Sequence, residues 1–264
     1  MASPWHTVAI VGTGEGLLEL RRRGDDWLML IDGRVLMNSF SRTSEEQLAR
    51  MAVDRLEAQP ARRVLVAGLG MGFTLRELLD AIDRTARVVV AELNPVVIEW
   101  CRGPLAPATN EVLRDPRVRV EVADVAKVIA DTRPGTFDLI LLDLYEGPNS
   151  ATQGPDDPFY SETALARAHR ALAPGGVLGV WSEDADAPFA RRFAAAWFAV
   201  AKHTISSGGG RHVVYLGRKR RESRRNLVEL SLDTRCIRGK QSVGAVRFAW
   251  AECFGHLGTT KTES

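Results

Sequence analysis

The chain has 264 residues, of which 45% are hydrophobic and 26% are charged, the balance of an ordinary folded globular protein. This composition excludes a disordered chain, a collagen-like repeat and a small disulfide scaffold. No apolar run reaches the roughly 18 residues needed to span a bilayer, and the first residues lack the pattern of a secretory signal. We therefore expect a cytoplasmic protein with no membrane partner.

Charge is unevenly distributed along the chain. Residues 218–264 carry 11 Lys and Arg against 5 Asp and Glu, whereas the whole chain has a net charge of only +2. We interpret this basic tail as a poorly ordered extension and do not favour nucleic acid as its partner. Three scattered cysteines, Cys101, Cys236 and Cys253, are typical of a reducing compartment. They do not form a zinc-binding pattern, so we assign no metal.

The sequence pattern of residues 1–58 predicts a β-hairpin region followed by a helix. Apolar runs lie between polar residues over 16–37, and Asp32-Gly33 is the signal of a tight type I′ turn. Ser44 is expected to cap the helix, since a capping-box spacing follows it. The glycine-rich segment Gly12–Gly16 precedes the first predicted strand, and we expect it to be a flexible entry.

Residues 59–217 alternate short apolar strands with helices. Strands with nearly continuous apolar residues, such as Val64–Ala67, predict a parallel sheet that is covered on both faces. Right-handed crossovers between such strands give a doubly wound, Rossmann-like α/β domain. Near its end we expect a helix from Pro188 to about Ala201, followed by a last hairpin.

Chemistry-bearing residues follow successive strands of this predicted sheet. The first strand runs into Gly68-Leu69-Gly70-Met71-Gly72, where glycines permit a sharp turn and close approach of a ligand. Glu92, Asp124 and Asp143 end the next three strands, and Glu146 follows shortly afterwards. Ligands bind at the carboxyl ends of such strands, and an acid after the second strand suits ribose hydroxyls. The pattern favours nucleoside binding, although each acid could instead cap the next helix.

The stretch from Val64 to about Trp181 resembles the catalytic domain of spermidine synthase and related aminopropyltransferases. The matching segments are Gly68–Glu77, Ala91–Pro95, Ala123–Val125, Phe137–Asp143, Glu146–Pro148, Phe159-Tyr160 and Leu172–Leu178. The resemblance extends over roughly residues 18–217 and implies the fold of S-adenosylmethionine-dependent methyltransferases. The first strands of that family's N-terminal β-domain are expected to be absent here, because the chain before Leu18 is short.

The resemblance also implies roles for individual residues. Gly68, Gly70 and Gly72 would bind the nucleoside part of the co-substrate, with Glu92 holding the ribose and Asp124-Val125 contacting the adenine. The co-substrate would be decarboxylated S-adenosylmethionine or S-adenosylmethionine, and no metal is required.

Three residues are predicted to act on the acceptor. The resemblance implies that Asp143 accepts a proton from the attacking amine, or orients it, and that Glu146 anchors the amine. Tyr145 either closes over the substrate or packs under its loop. The segment Gly147–Pro158 is predicted to form a lid or a solvated connection.

Three functions remain open from the sequence. The first is aminopropyl transfer to a small amine, and the second is methylation of a small molecule. A methyltransferase would need a cationic or backbone N–H partner near Gly68–Gly72 for the carboxylate of its donor. The third is a nucleoside-binding homologue that has lost the reaction. A homodimer is the oligomeric state that the resemblance favours.

Overall fold

A computed structural model of the protein describes residues 3–56, 62–207 and 210–221. The predicted basic tail therefore lies almost wholly outside the described residues, from 222 onward. None of the described helices has the length and apolar character that crossing a membrane requires.

The N-terminal region is a four-stranded antiparallel sheet, larger than the predicted hairpin. Its strands follow one another in chain order: β1 (His6–Gly12), β2 (Leu17–Arg23), β3 (Asp26–Ile31) and β4 (Arg34–Asn38). Asp32 and Gly33 both have positive φ, 48° and 80°, as the predicted type I′ turn between β3 and β4 requires. The stretch before Leu18, expected to be too short for the first strands of that family's N-terminal β-domain, holds one strand, β1, which pairs with β2.

The helix α1 (Thr43–Asp54) begins earlier than expected. Arg42 takes the cap position without a side-chain hydrogen bond, so the prediction that Ser44 caps this helix is wrong. Ser44 is buried in the first turn, and its hydroxyl donates to the Glu45 carboxylate at 2.6 Å. The physical reason is that this first turn is buried, and the Ser44 hydroxyl hydrogen-bonds to the Glu45 side chain and not to a backbone N–H group.

The main domain is the predicted doubly wound sheet. Its seven strands are β5 (Arg63–Ala67), β6 (Arg87–Glu92), β7 (Val118–Val122), β8 (Phe137–Leu142), β9 (Leu172–Ser182), β10 (Phe198–Ser207) and β11 (Gly210–Lys219). They lie in the order β10-β11-β9-β8-β5-β6-β7, with β10 and β11 antiparallel and the other five parallel. Strand β11 runs two residues beyond the predicted domain boundary at 217.

Helices cover both faces of this sheet. The helices are α2 (Phe73–Ala81), α3 (Pro95–Arg102), α4 (Val125–Asp131), α5 (Glu162–Ala171) and α6 (Ala187–Ala195). Side chains of α1, α2 and α3 pack in one apolar cluster and those of α4, α5 and α6 in another. Alternate residues of β5 divide between the two clusters, Val64 in the first and Leu65 in the second, because side chains alternate across a strand.

The predicted helix from Pro188 to Ala201 is too long. Helix α6 ends at Ala195, Trp197 takes a positive φ of 61°, and β10 begins at Phe198. Phe198 is buried against the second apolar cluster. The pattern of the apolar residues near Phe198 fits a helix or a strand equally well. These residues form a strand because they pair with β11.

Candidate active site

A cavity of about 540 Å³ lies where the carboxyl ends of the parallel strands meet the N-terminal sheet. Eight carboxylate side chains line it, and no Lys or Arg is found among the described residues of its wall. The eight are Glu15, Glu45, Glu92, Asp124, Asp143, Glu146, Asp157 and Glu183. The cavity is therefore strongly acidic and suited to a cationic ligand.

The structure brings most of the predicted site residues together in this cavity. Those that line it are Gly68, Gly70, Glu92, Asp124, Val125, Asp143, Tyr145 and Glu146. Gly72 does not belong to the described cavity wall. It takes the cap position of α2 with a φ of 90°, and its missing Cβ would lie 3.2 Å from Val112.

Glu92 ends β6 and is only 7% exposed. One carboxylate oxygen accepts from the backbone N–H of Leu69 and the other from that of Asn94, each at 2.8 Å. Burial raises the pKa of Glu92 above its ordinary value, and these backbone hydrogen bonds oppose the shift. The carboxylate is thus held in one orientation at the cavity wall, with further lone pairs on each oxygen for a ligand.

Asp124 caps helix α4, as the structural alternative from the sequence allowed. Its Oδ1 accepts from the backbone N–H of Ala126 at 2.8 Å. The side chain also lines the cavity, so a capping role and a ligand role are compatible. Val125 is buried beside it and adds an apolar surface.

The glycine-rich loop uses most of its backbone N–H groups internally. The N–H of Gly68 donates to Ala91, that of Met71 to the sulfur of Met37, and that of Gly72 to Leu69. The N–H of Leu69 donates to the Glu92 carboxylate. The loop therefore has little capacity to bind an anionic group.

Asp143 follows β8 at the back of the cavity. Its Oδ2 accepts a hydrogen bond from the Thr74 hydroxyl at 2.5 Å. Burial raises the pKa of Asp143 to about 7, and repulsion from Glu45 contributes to the same shift, while the Thr74 hydrogen bond opposes it. A carboxyl group with such a pKa can accept and release a proton near neutral pH.

Glu45 is a site residue that the sequence analysis missed. It lies in the first turn of α1, is buried, and lines the cavity near Asp143. Burial raises its pKa. The next residue, Glu46, forms an ion pair with Arg42 at 2.9 Å and is not part of the described cavity wall. The sequence gives no signal for Glu45, because an acid in the first turn of a helix is ordinarily explained by the helix dipole.

The N-terminal sheet supplies a second group of residues that the sequence did not indicate. Glu15, in the segment expected to be a flexible entry, accepts a hydrogen bond from the Asn94 side chain at 2.6 Å. It therefore ties the turn between β1 and β2 to the part of the cavity wall that Glu92 and Asn94 form. Met37, on β4, lines the same wall and contacts the glycine-rich loop.

Tyr145 and Glu146 lie at the mouth of the cavity and contact β4. The Nη2 atom of Arg34 is 2.5 Å from Oε1 of Glu146, and its guanidinium carbon lies 5.5 Å from the centre of the Tyr145 ring. Tyr145 is exposed and faces this arginine, so it is not packed under its loop.

The segment after Glu146 is folded back on itself by specific hydrogen bonds. The Gln153 side chain donates to the Gly147 carbonyl at 2.7 Å and accepts from the Asn149 N–H at 2.8 Å. Ser150 is bound to Asp186 by two hydrogen bonds of 2.7 Å. Since Gln153 lines the cavity, this segment forms part of its wall.

We expect Gly147→Ala to lower the free energy of unfolding by about 3 kcal/mol. An added Cβ would collide with the Trp181 carbonyl oxygen and lie 2.6 Å from the Ser182 Cα, both in the backbone of β9. Gly135→Ala is the matched control, because Gly135 has nearly the same φ, 69° against 68°, with no atom within 4 Å of the new Cβ. Its expected loss is about 1 kcal/mol. Urea denaturation measures both, and equal losses would contradict the steric argument.

The fold and cavity define a Rossmann-like α/β protein with an acidic cavity at the carboxyl ends of its strands. A family model described as "Spermine/spermidine synthase domain" matches residues 43–187, more than half of the chain. The chain therefore belongs to the spermine/spermidine synthase family, which confirms the resemblance seen in the sequence.

Individual relatives support the same assignment. The chain is 35% identical over 165 residues to a polyamine aminopropyltransferase of Mycobacterium tuberculosis, an alignment that covers 60% of this chain and 29% of that relative. The chain thus spans under a third of that protein's length. A spermidine synthase in complex with the transition-state analogue AdoDATO has a TM-score of 0.67 at 20% identity, covering 82% of this chain and 74% of that one. The Thermotoga maritima spermidine synthase has a TM-score of 0.66 at 19% identity, with 82% and 73% covered. These likenesses confirm the fold class.

Proposed function

We propose that the protein transfers an aminopropyl group from decarboxylated S-adenosylmethionine to a small amine. The observation that carries this proposal is the charge of the cavity, whose described wall contains eight carboxylates and no Lys or Arg. The donor has a cationic sulfonium and an ammonium group, and the acceptor is also cationic. An acidic cavity attracts both molecules.

The same observation disfavours intact S-adenosylmethionine as the donor. Its carboxylate would need a cation or free N–H groups near the glycine-rich loop. Of the five N–H groups in Gly68–Gly72, four are used within the protein. A carboxylate placed there would lie close to Glu92 with little compensation, which costs free energy. Methyl transfer is therefore the less favoured function.

Asp143 is the residue that we propose as the general base. The amine attacks the aminopropyl carbon bonded to the sulfonium, the new C–N bond forms, and the C–S bond breaks with its electron pair passing to sulfur. The products are methylthioadenosine and a secondary amine, and the surplus proton of the amine passes to Asp143. Its pKa of about 7 is suited to this task. The neighbouring Glu45 adds negative charge that favours a cationic amine at this position.

The remaining predicted residues bind and orient the two substrates. We propose that Glu92 accepts hydrogen bonds from the ribose hydroxyls and that Asp124 accepts one from the adenine amino group. Gly68 and Gly70 allow the nucleoside to approach the loop closely. Such positioning of two reactants is itself a large part of catalysis. Glu146 is the second acid on the acceptor side.

Calorimetric titration of the purified chain tests the donor. We expect decarboxylated S-adenosylmethionine and methylthioadenosine to bind at least about tenfold more tightly than S-adenosylhomocysteine, because only the last has a carboxylate. Formation of methylthioadenosine is then assayed with a panel of amines. Tighter binding of S-adenosylhomocysteine would instead indicate methyl transfer. Binding without turnover of any amine would support a homologue that has lost the reaction.

A further inference from the structure

Arg34 is a cation held at the acceptor side of the cavity. It is the first residue of β4, and its guanidinium is 2.5 Å from the Glu146 carboxylate and 5.5 Å from the centre of the Tyr145 ring. The Arg34 side chain is 67% exposed, whereas that of Glu146 is 21% exposed. Arg34 thus reaches from the N-terminal sheet to the mouth of a cavity whose described wall contains no arginine or lysine.

This contact changes what Glu146 is able to bind. Among the eight carboxylates of the cavity, Glu146 is the one that forms a salt bridge within the described part of the chain. A carboxylate and an aromatic ring together are the partners that a substrate ammonium would use. Here both are already occupied by a guanidinium that belongs to the protein. An ammonium that binds to this acid must either displace Arg34 or share the carboxylate with it, against the repulsion between two like charges.

We propose that Arg34 is a specificity-determining residue that keeps a second ammonium group away from Glu146. This inference rests on the proposed function, in which the first amine nitrogen lies at Asp143. As a consequence, kcat/KM should be similar for amines with one cationic nitrogen and an uncharged far end and for diamines of the same length. Arg34 acts by competition with the far ammonium and does not touch the reacting atoms.

The test compares two acceptors that differ only in the far ammonium, 1,4-diaminobutane and butylamine. In the wild type we expect values of kcat/KM for the two that agree within about threefold. In Arg34→Met the preference for the diamine should rise by about tenfold, because the freed carboxylate gains a charge-assisted hydrogen bond. The change should lie in KM for the diamine, with the constants for butylamine unaltered.

Two further variants separate specificity from stability. Arg34→Lys keeps a cation beside Glu146 and should retain the wild-type preference. Arg50→Met removes a matched surface pair, since Arg50 is 61% exposed and 2.5 Å from Glu77, away from the cavity. It should also leave the preference unchanged. An unaltered preference in Arg34→Met, or the same rise in Arg50→Met, would overturn the proposal.

Failure of the proposed function would be recognised separately. If no amine is turned over, the role of Arg34 is tested by calorimetric binding of 1,4-diaminobutane. The proteins compared are the wild type, Arg34→Met, Arg34→Lys and Arg50→Met. Tighter binding to Arg34→Met alone, by about tenfold, would support the role of Arg34 although the reaction is absent. Equal binding to all four would reject it.

Discussion

Asparagine in place of Asp143 is expected to lower kcat for aminopropyl transfer by about 10²–10⁴-fold. The amide keeps the shape of the side chain and still accepts from Thr74, but it cannot take a proton from the amine. Methylthioadenosine should bind to this variant as it does to the wild type. Asp138→Asn is the matched control, because Asp138 lies on β8, the strand that Asp143 follows, and accepts from the N–H groups of Arg62 and Arg63. It should leave kcat within about twofold.

The pH dependence gives an independent check on this role. Asp143 acts as a base only when ionised, so kcat/KM of the wild type should fall as pH drops through its pKa of about 7.

The contribution of Asp143 to stability should change in the opposite sense and fall as pH rises. Since the folded-state pKa lies above the ordinary value of 3.8, ionisation opposes folding; this cost is absent below about pH 4 and complete above pH 7. At pH 8 Asp143→Asn should therefore unfold at a higher temperature than the wild type. A lower unfolding temperature at pH 8 would show that Asp143 stabilises the fold.

We expect Glu92→Gln to weaken the binding of methylthioadenosine by about a hundredfold. Both oxygens of Glu92 accept from backbone N–H groups, and a glutamine would point its own NH₂ at one of them. The glycine-rich loop would have to shift, and the ribose would lose a charged acceptor. Calorimetry measures the affinity, and Glu99→Gln, an exposed change on α3, is the control. Unchanged affinity in Glu92→Gln would exclude this residue from the nucleoside site.

The central sheet was predictable from the sequence because its strands are buried on both faces. Apolar residues fill every position of a strand such as Val64–Ala67, and this pattern has few alternatives. Strand β1 was missed for the opposite reason. Its residues are mostly exposed, and its pairing with β2 defines it as a strand. A single sequence carries little signal for an exposed strand at the edge of a sheet.

The site was predictable where it follows the strands and unpredictable where distant segments meet. Glu92, Asp124 and Asp143 lie at strand ends, so the topology alone places them at one edge. Glu45 and Arg34 reach the cavity from elements that precede the main sheet in the chain. Their contacts depend on how the N-terminal sheet and α1 pack over the strand ends, and this packing has no local signature.

The acidity of the cavity wall has a kinetic consequence for the proposed reaction. The donor enters with a positive sulfonium and leaves as methylthioadenosine, which is neutral. Electrostatic attraction therefore accelerates the arrival of the donor without retaining methylthioadenosine. The association rate of the donor should fall steeply as ionic strength rises, whereas the dissociation rate of methylthioadenosine should hardly change. The acidic wall would thereby favour entry of the donor without slowing the release of methylthioadenosine.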